Sequence, residues 1–311
     1  MTSIIITGAN SGIGFECAMQ MAKIAPDEQI ILACRNVESG NQAIRKIKKK
    51  TNHTNIICLA LDLASLQSVR DFKTAISKLP NPVITSIVNN AGAIFDKFAY
   101  TKDGYEMTFG TNHLGGFYLT LLMLPYLHNN GSIVFTASDT HDPTKNTGSA
   151  PPNYTSASDL AFPKVESEKL TIKDTQRLYA TSKLCNVLTT YILQEKLVNT
   201  NIRVNAFDPG LTPGTGLIRF VPAPVRLFLY LSFRVQMLYR HNTNLPQISG
   251  SRLANLSYAK EFQNLKGIYF SDGKVTKSSQ ESYSKDFQND LWKSSIELTG
   301  IKTEDTNIPL N

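Results

Sequence analysis

Residues 3–14 read SIIITGANSGIG, and this stretch decides the fold. SIIIT is a short β-branched apolar run, the pattern of a strand buried on both faces of a parallel sheet. Gly8, Gly12 and Gly14 follow at once, and FECAMQMAKIA (15–25) continues as a helix. Strand, glycine turn and helix N-terminus in that order make a pyrophosphate site. Glycines let the backbone approach the anion, and the unsatisfied N–H groups and dipole of the helix hold its charge. The spacing is G-x-x-x-G-x-G, whereas G-x-G-x-x-G is commoner. A glycine-rich turn without a ligand is the alternative reading of the motif taken alone.

The next strand, QIILAC (29–34), ends at Arg35, where NAD-binding chains carry an acid roughly 20 residues past the glycines. A carboxylate there would bond the ribose 2′-hydroxyl. An arginine, with its planar fork, suits a 2′-phosphate, so the cofactor implied is NADP rather than NAD. A solvated arginine at a strand end is the competing reading. Further strands are expected near 56–61, 84–90, 131–137, 202–207 and 267–271, seven in all, with helical patterns between them, notably 105–127 and 175–197.

The helix 175–197 carries Tyr179 and Lys183 within QRLYATSKLCN (176–186). Four residues is just over one turn, so the phenol and the ammonium share a face. A nearby cation favours the phenolate, which would let Tyr179 exchange a proton although a free tyrosine titrates near ~10. Y-x-x-x-K also arises by chance on amphipathic helices, so the pair gains weight only from its setting. That setting includes the one long stretch of low order, 139–175, rich in Thr, Ser, Asn, Pro and Lys and lying between Ser138 and Tyr179. A loop of that length inside a compact domain is functional or mobile more often than decorative, and it is expected to border a substrate site.

Taken together these pieces resemble the short-chain dehydrogenase/reductase family over nearly the whole chain. TGANSGIG is joined by Asp62-Leu63 after the third strand, Asn89-Asn90-Ala91-Gly92 after the fourth, Asn112 in GTNHLGG, Ser138 ending GSIVFTAS, then Tyr179, Lys183 and Pro209-Gly210. The resemblance implies a Rossmann-type, doubly wound seven-stranded parallel sheet flanked by helices. It implies a single domain over 1–300, with an insertion at 139–175 before the catalytic tyrosine, a substrate lid at 211–241 and a tail at 301–311. It also implies an oxidoreductase that moves a hydride between NADPH/NADP+ and a carbonyl or alcohol. In that frame Tyr179 exchanges the proton with the substrate oxygen, Lys183 depresses the tyrosine pKa and bonds the nicotinamide ribose, Ser138 bonds the substrate oxygen, and Asn112 holds a water in the proton relay. The residues implied to border the cofactor are Gly8, Asn10, Ser11, Gly12, Ile13, Gly14, Arg35, Asp62, Leu63, Asn90, Ala91, Gly92, Pro209, Gly210 and Thr212, with Tyr179 and Lys183. For Asn89, a structural amide closing a turn is an equal alternative.

Within the family the chain looks closest to light-dependent protochlorophyllide reductases and retinol dehydrogenase-like reductases, sharing LACRN, LDLASLQSVRDF, GTNHLG, SAPPNYTSASDL and SKLCN with the former. Those photoenzymes carry a cysteine directly after the Pro-Gly turn, and here Leu211 stands in its place. An ordinary dark reductase is therefore the favoured reading. The photoenzyme and a catalytically silent NADP-binding regulator are the alternatives, and the intact serine, tyrosine, lysine and asparagine set argues against the regulator.

Length and charge fit this picture. At 311 residues one domain with insertions is expected. The four cysteines, Cys17, Cys34, Cys58 and Cys185, show neither metal nor redox spacing, and the chain opens directly on a strand, so a reduced cytoplasmic protein is expected. The net charge of +7 and the run RKIKKK (45–50) do not argue for nucleic acid, because no aromatics interleave and the run sits on a helix as a solvated face. From Val225 to Tyr239 an apolar segment runs for 15 residues, roughly 22 Å as a helix and too short for a ~30 Å hydrocarbon core. It reads as a packed helix, a hydrophobic substrate lid, or a membrane-surface contact through 225–240. The last two imply a small hydrophobic substrate. The oligomeric state is left open.

Overall fold

The computed structural model describes residues 2–164, 169–213 and 242–310. The segment 225–240, and nearly all of the expected lid 211–241, lie outside the described residues.

One eight-stranded sheet organises the chain. Its strands are β1 (Thr2–Thr7), β2 (Gln29–Cys34), β3 (Ile56–Ala60), β4 (Val83–Asn89), β5 (Leu127–Thr136), β6 (Arg203–Asp208), β7 (Tyr269–Ser271) and β8 (Lys274–Thr276). They lie in the order β3-β2-β1-β4-β5-β6-β7-β8, so the winding reverses between β1 and β4. All neighbours run parallel except β7 and β8. The seven expected strands are present, and β8 corrects the expectation of a purely parallel sheet. Asp272 (φ 50) and Gly273 (φ 76) both take the left-handed conformation of a two-residue hairpin turn, for which Asp-Gly is a strong local signal.

Helices cover both faces. On one lie α1 (Gly12–Ile24), α2 (Val37–Thr51) and, later in the chain, α8 (Pro246–Tyr258), which packs against α1. On the other lie α3 (Leu66–Ser77), α5 (Gly115–Met123), α7 (Ile172–Lys196) and α9 (Lys285–Thr299). The apolar run of β1 explains this arrangement, since successive side chains alternate faces: Ile5 joins one core while Ile4 and Ile6 join the other, all fully buried. The basic run expected on a helix face falls on the C-terminal half of α2, where Lys48, Lys49 and Lys50 also suit the negative end of the helix dipole. Cys34 and Cys58, on neighbouring strands, hydrogen-bond one another, which with burial pushes the Cys34 thiol up.

Two stretches are more ordered than their composition suggests. The pattern over 105–127 is not one helix but α4 (Met107–Phe109), a π-helical turn over Gly110–Leu114, and α5. The insertion 139–175 holds the short helix α6 (Ala157–Ala161) and is stitched to the body: Asn153 N donates to Thr181 Oγ1 (2.9 Å), and both Tyr154 Oη (2.6 Å) and Ala157 N (2.8 Å) donate to Asp290 Oδ2 on α9. Residues 165–168 lie outside the described ones. α7 starts at Ile172, ahead of the expected 175, because Thr171 and Asp174 form a reciprocal capping box. Beyond Gly300 the chain packs back on itself, with Ile301 and Ile308 buried and Trp292 Nε1 donating to Leu310 O at 3.0 Å.

Gly115 shows how closely the helical layer sits on the loop after β3. A Cβ there would lie 2.3 Å from the backbone oxygen of Leu63 and 2.8 Å from its Cβ, and backbone cannot swing aside. Gly115→Ala is expected to lower stability by about 1–3 kcal/mol, the cost of overpacking a filled site. Urea or guanidinium unfolding of the variant beside wild type checks it, and an unchanged midpoint would show that the layer yields.

Candidate active site

The carboxyl ends of β1, β4, β5 and β6 bring the candidate residues to one edge of the sheet, as open α/β folds do at their switch point. At the first of these ends, Thr7 Oγ1 accepts from Asn90 N (3.0 Å) and Ala91 N (2.9 Å) and donates to Val88 O (3.3 Å). Asn90 Nδ2 returns a bond to Thr7 O at 3.0 Å. The glycine turn is thereby clamped to the loop after β4. Gly8 has φ +66, a conformation that L side chains rarely adopt, and a Cβ on Gly14 would sit 2.6 Å from Gly8 O.

The start of α1 is left open for an anion. Ser11, its N-cap, makes no side-chain cap bond, and the first turn carries no acid. Asn10 instead donates to Ser39 Oγ (3.0 Å), and Ile13 lies partly buried beneath the turn against the core. Arg35 follows β2 directly, is exposed, and bonds nothing among the described residues. Asp62 accepts from Ala64 N (3.2 Å), and Leu63 is buried beside it. An unblocked helix N-terminus beside a cradle that a Cβ would fill, with a free guanidinium one strand away, fits a phosphate-rich dinucleotide.

The second half of the site is built by α7 against β5. Lys183 is 2% exposed, and its Nζ donates to Thr136 O at 2.9 Å, an oxygen that also accepts from Asn186 Nδ2 at 3.0 Å. Burial lowers its pKa to about 8, against the opposing pull of Asp208. One turn earlier Tyr179 is half-buried, with the ammonium 5.4 Å from its ring centroid. Burial first, then Asp208 and Asp139, push the phenol well above its ordinary range, and a hydrogen bond with Ser138 pulls the other way. The Lys183 ammonium lies against the ring face and gives a donor to the Thr136 carbonyl.

Asn112 occupies the π-helical turn, a feature that often marks functional positions because it re-aims a side chain out of the helical register. Its Nδ2 donates to Ala93 O (2.9 Å) and Ser182 Oγ (3.1 Å), and its Oδ1 accepts from Ala93 N (2.8 Å). Gly92 lies between: a Cβ there would come 3.2 Å from Lys183 Nζ and 3.4 Å from Asn112 Oδ1. Ser138 is buried at the end of β5, where its Oγ accepts from Thr140 N at 3.3 Å. On the far side, Pro209 O accepts from Thr212 Oγ1 (3.3 Å) and Ser249 Oγ (2.8 Å), which shapes the Pro209-Gly210 turn. Asn89 donates to Thr120 Oγ1 at 2.8 Å, the structural amide of the second reading.

Sequence reasoning overlooked two residues in this cluster. Asp208, immediately before Pro209, is a buried carboxylate at the end of β6. His141 ties the Ser138 turn down, with Nδ1 2.6 Å from Ser138 O and Nε2 accepting from Ser279 N at 3.1 Å. A carboxylate closing β6 directly before the Pro-Gly turn was a visible signal for Asp208, whereas nothing in the local sequence marks His141, whose Nε2 partner is 138 positions away.

Comparison with known proteins places this geometry. The family model for short chain dehydrogenases matches residues 2–157. The chain is 32% identical to a polyprenol dehydrogenase of Danio rerio, over 96% of this chain and 86% of that protein. It is 31% identical to retinol dehydrogenase 13 of Mus musculus, covering 96% and 84% respectively. Among solved structures, L-sorbose reductase of Gluconobacter frateurii, a complex with NADPH and L-sorbose, shares the fold at a TM-score of 0.64 and 18% identity, covering 89% of this chain and 97% of that one. With relatives above 30% identity matched along almost its whole length, the chain belongs to the short-chain dehydrogenase family of oxidoreductases.

Proposed function

We propose that this chain is an NADPH-dependent reductase of carbonyl groups on an apolar substrate, with Tyr179 as the proton donor. The observation that carries the reading is the convergence of Ser138, Tyr179, Lys183 and Asn112 on the edge of the sheet where Gly92 leaves room between the last two. When bound, NADPH supplies the hydride that reaches the carbonyl carbon. Tyr179 gives its hydroxyl proton to the carbonyl oxygen, Ser138 bonds that oxygen as charge develops, and Lys183 lies where a ribose would meet its ammonium. The open N-terminus of α1 and Gly8–Gly14 receive the pyrophosphate, and Arg35 the 2′-phosphate.

The substrate class rests on two supports. Two of the relatives are named for apolar alcohols, polyprenol and retinol. The segment 211–241 is rich in Leu, Phe and Val, as a lid over such a substrate or a contact with a membrane surface would be. Among the described residues no helix is long and apolar enough to cross a membrane. The dark reading is favoured over the photoenzyme by Leu211 at the Pro-Gly turn. Cys185, the other thiol of the shared motifs, is fully buried on α7 in a cluster with Leu184 and Leu188.

Three outcomes are expected. NADPH binds more tightly than NADH, and Arg35→Ala erases the preference at a cost of about 1.5–3 kcal/mol, or roughly tenfold to more than a hundredfold, in a fluorescence titration of both cofactors. Equal affinities in wild type would remove Arg35 from the site. Tyr179→Phe keeps NADPH binding but slows carbonyl reduction about a hundredfold to ten-thousandfold, followed as loss of NADPH absorbance with a panel of aldehydes and ketones. Binding without turnover of any member of the panel by wild type would favour a silent regulator. Reduction also proceeds in darkness: mixing with NADPH and protochlorophyllide gives no product that depends on a flash, and product formed only after illumination would restore the photoenzyme.

A further inference from the structure

His113 follows Asn112 on the π-helical turn and takes no part in the proton transfer described above. Its ring is 1% exposed and lies between Phe109 and Phe117, with centroids 5.1 and 5.9 Å away. A wholly apolar side chain would fill such a slot without taking two ring nitrogens out of water, so the use of those nitrogens has to be found in their partners. Nε2 lies 3.0 Å from Ser295 Oγ on α9. Nδ1 is left for α7, where the Asn186 side chain hydrogen-bonds the imidazole. The π-helical turn and α7 already meet one turn earlier, through the bond from Asn112 Nδ2 to Ser182 Oγ.

The direction of each bond follows from one fixed point. Thr136 O is a carbonyl and only accepts, so the Asn186 atom 3.0 Å from it is the amide nitrogen, and the atom left for His113 is Oδ1. An amide oxygen also only accepts. Nδ1 must then carry the hydrogen of the ring, and burial, which lowers the imidazole pKa to about 3, leaves the ring neutral with Nε2 accepting from the Ser295 hydroxyl. His113 Nδ1 and Asn186 Oδ1 are both sealed from solvent, and neither has another partner among the described residues. A directed chain results: Ser295 donates to His113, His113 to Asn186, and Asn186 to Thr136 O, the oxygen to which Lys183 Nζ also donates at 2.9 Å.

We propose that His113 is a positioning residue for the reaction: by donating from Nδ1 it fixes the amide of Asn186, and through Asn186 the Thr136 carbonyl that places the Lys183 ammonium. This rests on the reading of Lys183 as the group that meets the ribose. Without the donor, Asn186 Oδ1 is a buried acceptor with nothing to accept, and turning the amide over would set Oδ1 against Thr136 O, two acceptors in contact. The amide is then free to leave the oxygen it shares with Lys183. The ammonium loses the fixed arrangement that holds it beside the space left by Gly92, where a Cβ would come 3.2 Å from Nζ.

The first measurement needs no turnover. In protein labelled with 15N at histidine, long-range 1H–15N correlation shows which ring nitrogen carries hydrogen, the His113 signals being those absent from His113→Phe or His113→Asn. Hydrogen is expected on Nδ1, unchanged from about pH 5 to about pH 8. Hydrogen on Nε2 alone, or an imidazolium within that range, overturns the proposal whatever the variants do. The variants then separate donation from bulk. His113→Phe fills the slot and donates nothing, whereas His113→Asn leaves a hole but sets its Nδ2 close to where Nδ1 stood. His113→Phe is expected to speed deuterium exchange of the Asn186 carboxamide, whose signal is the one lost in Asn186→Leu. It should also weaken NADPH binding about tenfold, the scale of one buried acceptor left unpaired, with kcat for a carbonyl falling alongside. His113→Asn should recover most of the exchange protection and most of the binding, although it melts at a lower temperature. If the asparagine variant is instead the worse of the two in both readouts, His113 supplies packing and not a donor, and the proposal falls. Wild type with the expected tautomer and a protected Asn186 carboxamide that binds no NADPH would sink the cofactor reading and leave the chain from His113 to Thr136 standing.

Discussion

One carbonyl oxygen holds the chemistry together. Thr136 O, at the end of β5, accepts from both Lys183 and Asn186, two side chains three residues apart on the same face of α7. A buried ammonium cannot stay where it lacks acceptors, so this pair sets the rotation and height of a 25-residue helix against the sheet. With α7 fixed, Tyr179 one turn back must face the Ser138 turn, and Ser182 falls beside the π-helical turn that presents Asn112. Loss of the Thr136 contact would therefore scatter residues that never touch it.

A second feature follows from the first. Among the described residues, the site's buried charged groups meet neutral partners at hydrogen-bond distance: Lys183 a carbonyl, Asp208 an amide, a hydroxyl and a carboxamide. In such surroundings charges interact over several ångströms with little screening, which makes their separation an adjustable quantity. It is the reason the tyrosine and the lysine are pushed in opposite directions from their ordinary values by the same burial, and the reason a carboxylate on a neighbouring strand matters to both.

The far side of α7 depends on the C-terminal part of the chain. Asp290 on α9 receives the insertion through Tyr154 and Ala157, while Trp292 packs edge-on to Phe117 (centroids 5.4 Å apart) and binds the Leu310 carbonyl. A polar stretch that has no apolar pattern of its own is ordered by bonds to Thr181 on α7 and, more than a hundred residues later, to Asp290 on α9. That ordering anchors the chain between Ser138 and Tyr179 at Asn153, Tyr154 and Ala157.

Much of this was legible in the chain itself. The alternation of Ile4, Ile5 and Ile6, the glycines after Thr7 and the four-residue spacing of Tyr179 and Lys183 are local facts, and strand, turn and helix face follow from them by sterics and periodicity alone. The seven parallel strands were found within a few residues for that reason, and β8 was missed although Asp272-Gly273 signalled it. What only the folded chain decided are quantities that depend on neighbours distant in sequence. The order inside 139–175 comes from bonds to Asp290 and Thr181, Asn112 stands on a π-helical turn that no local pattern announces, and the Tyr179 phenol is pushed up by burial first and then by Asp208 and Asp139. Periodicity places a side chain on a face of its helix or strand, but electrostatic energy depends on distances through space and on how much water has been excluded, and those exist only once the sheet has brought the ends of β5 and β6 together under α7.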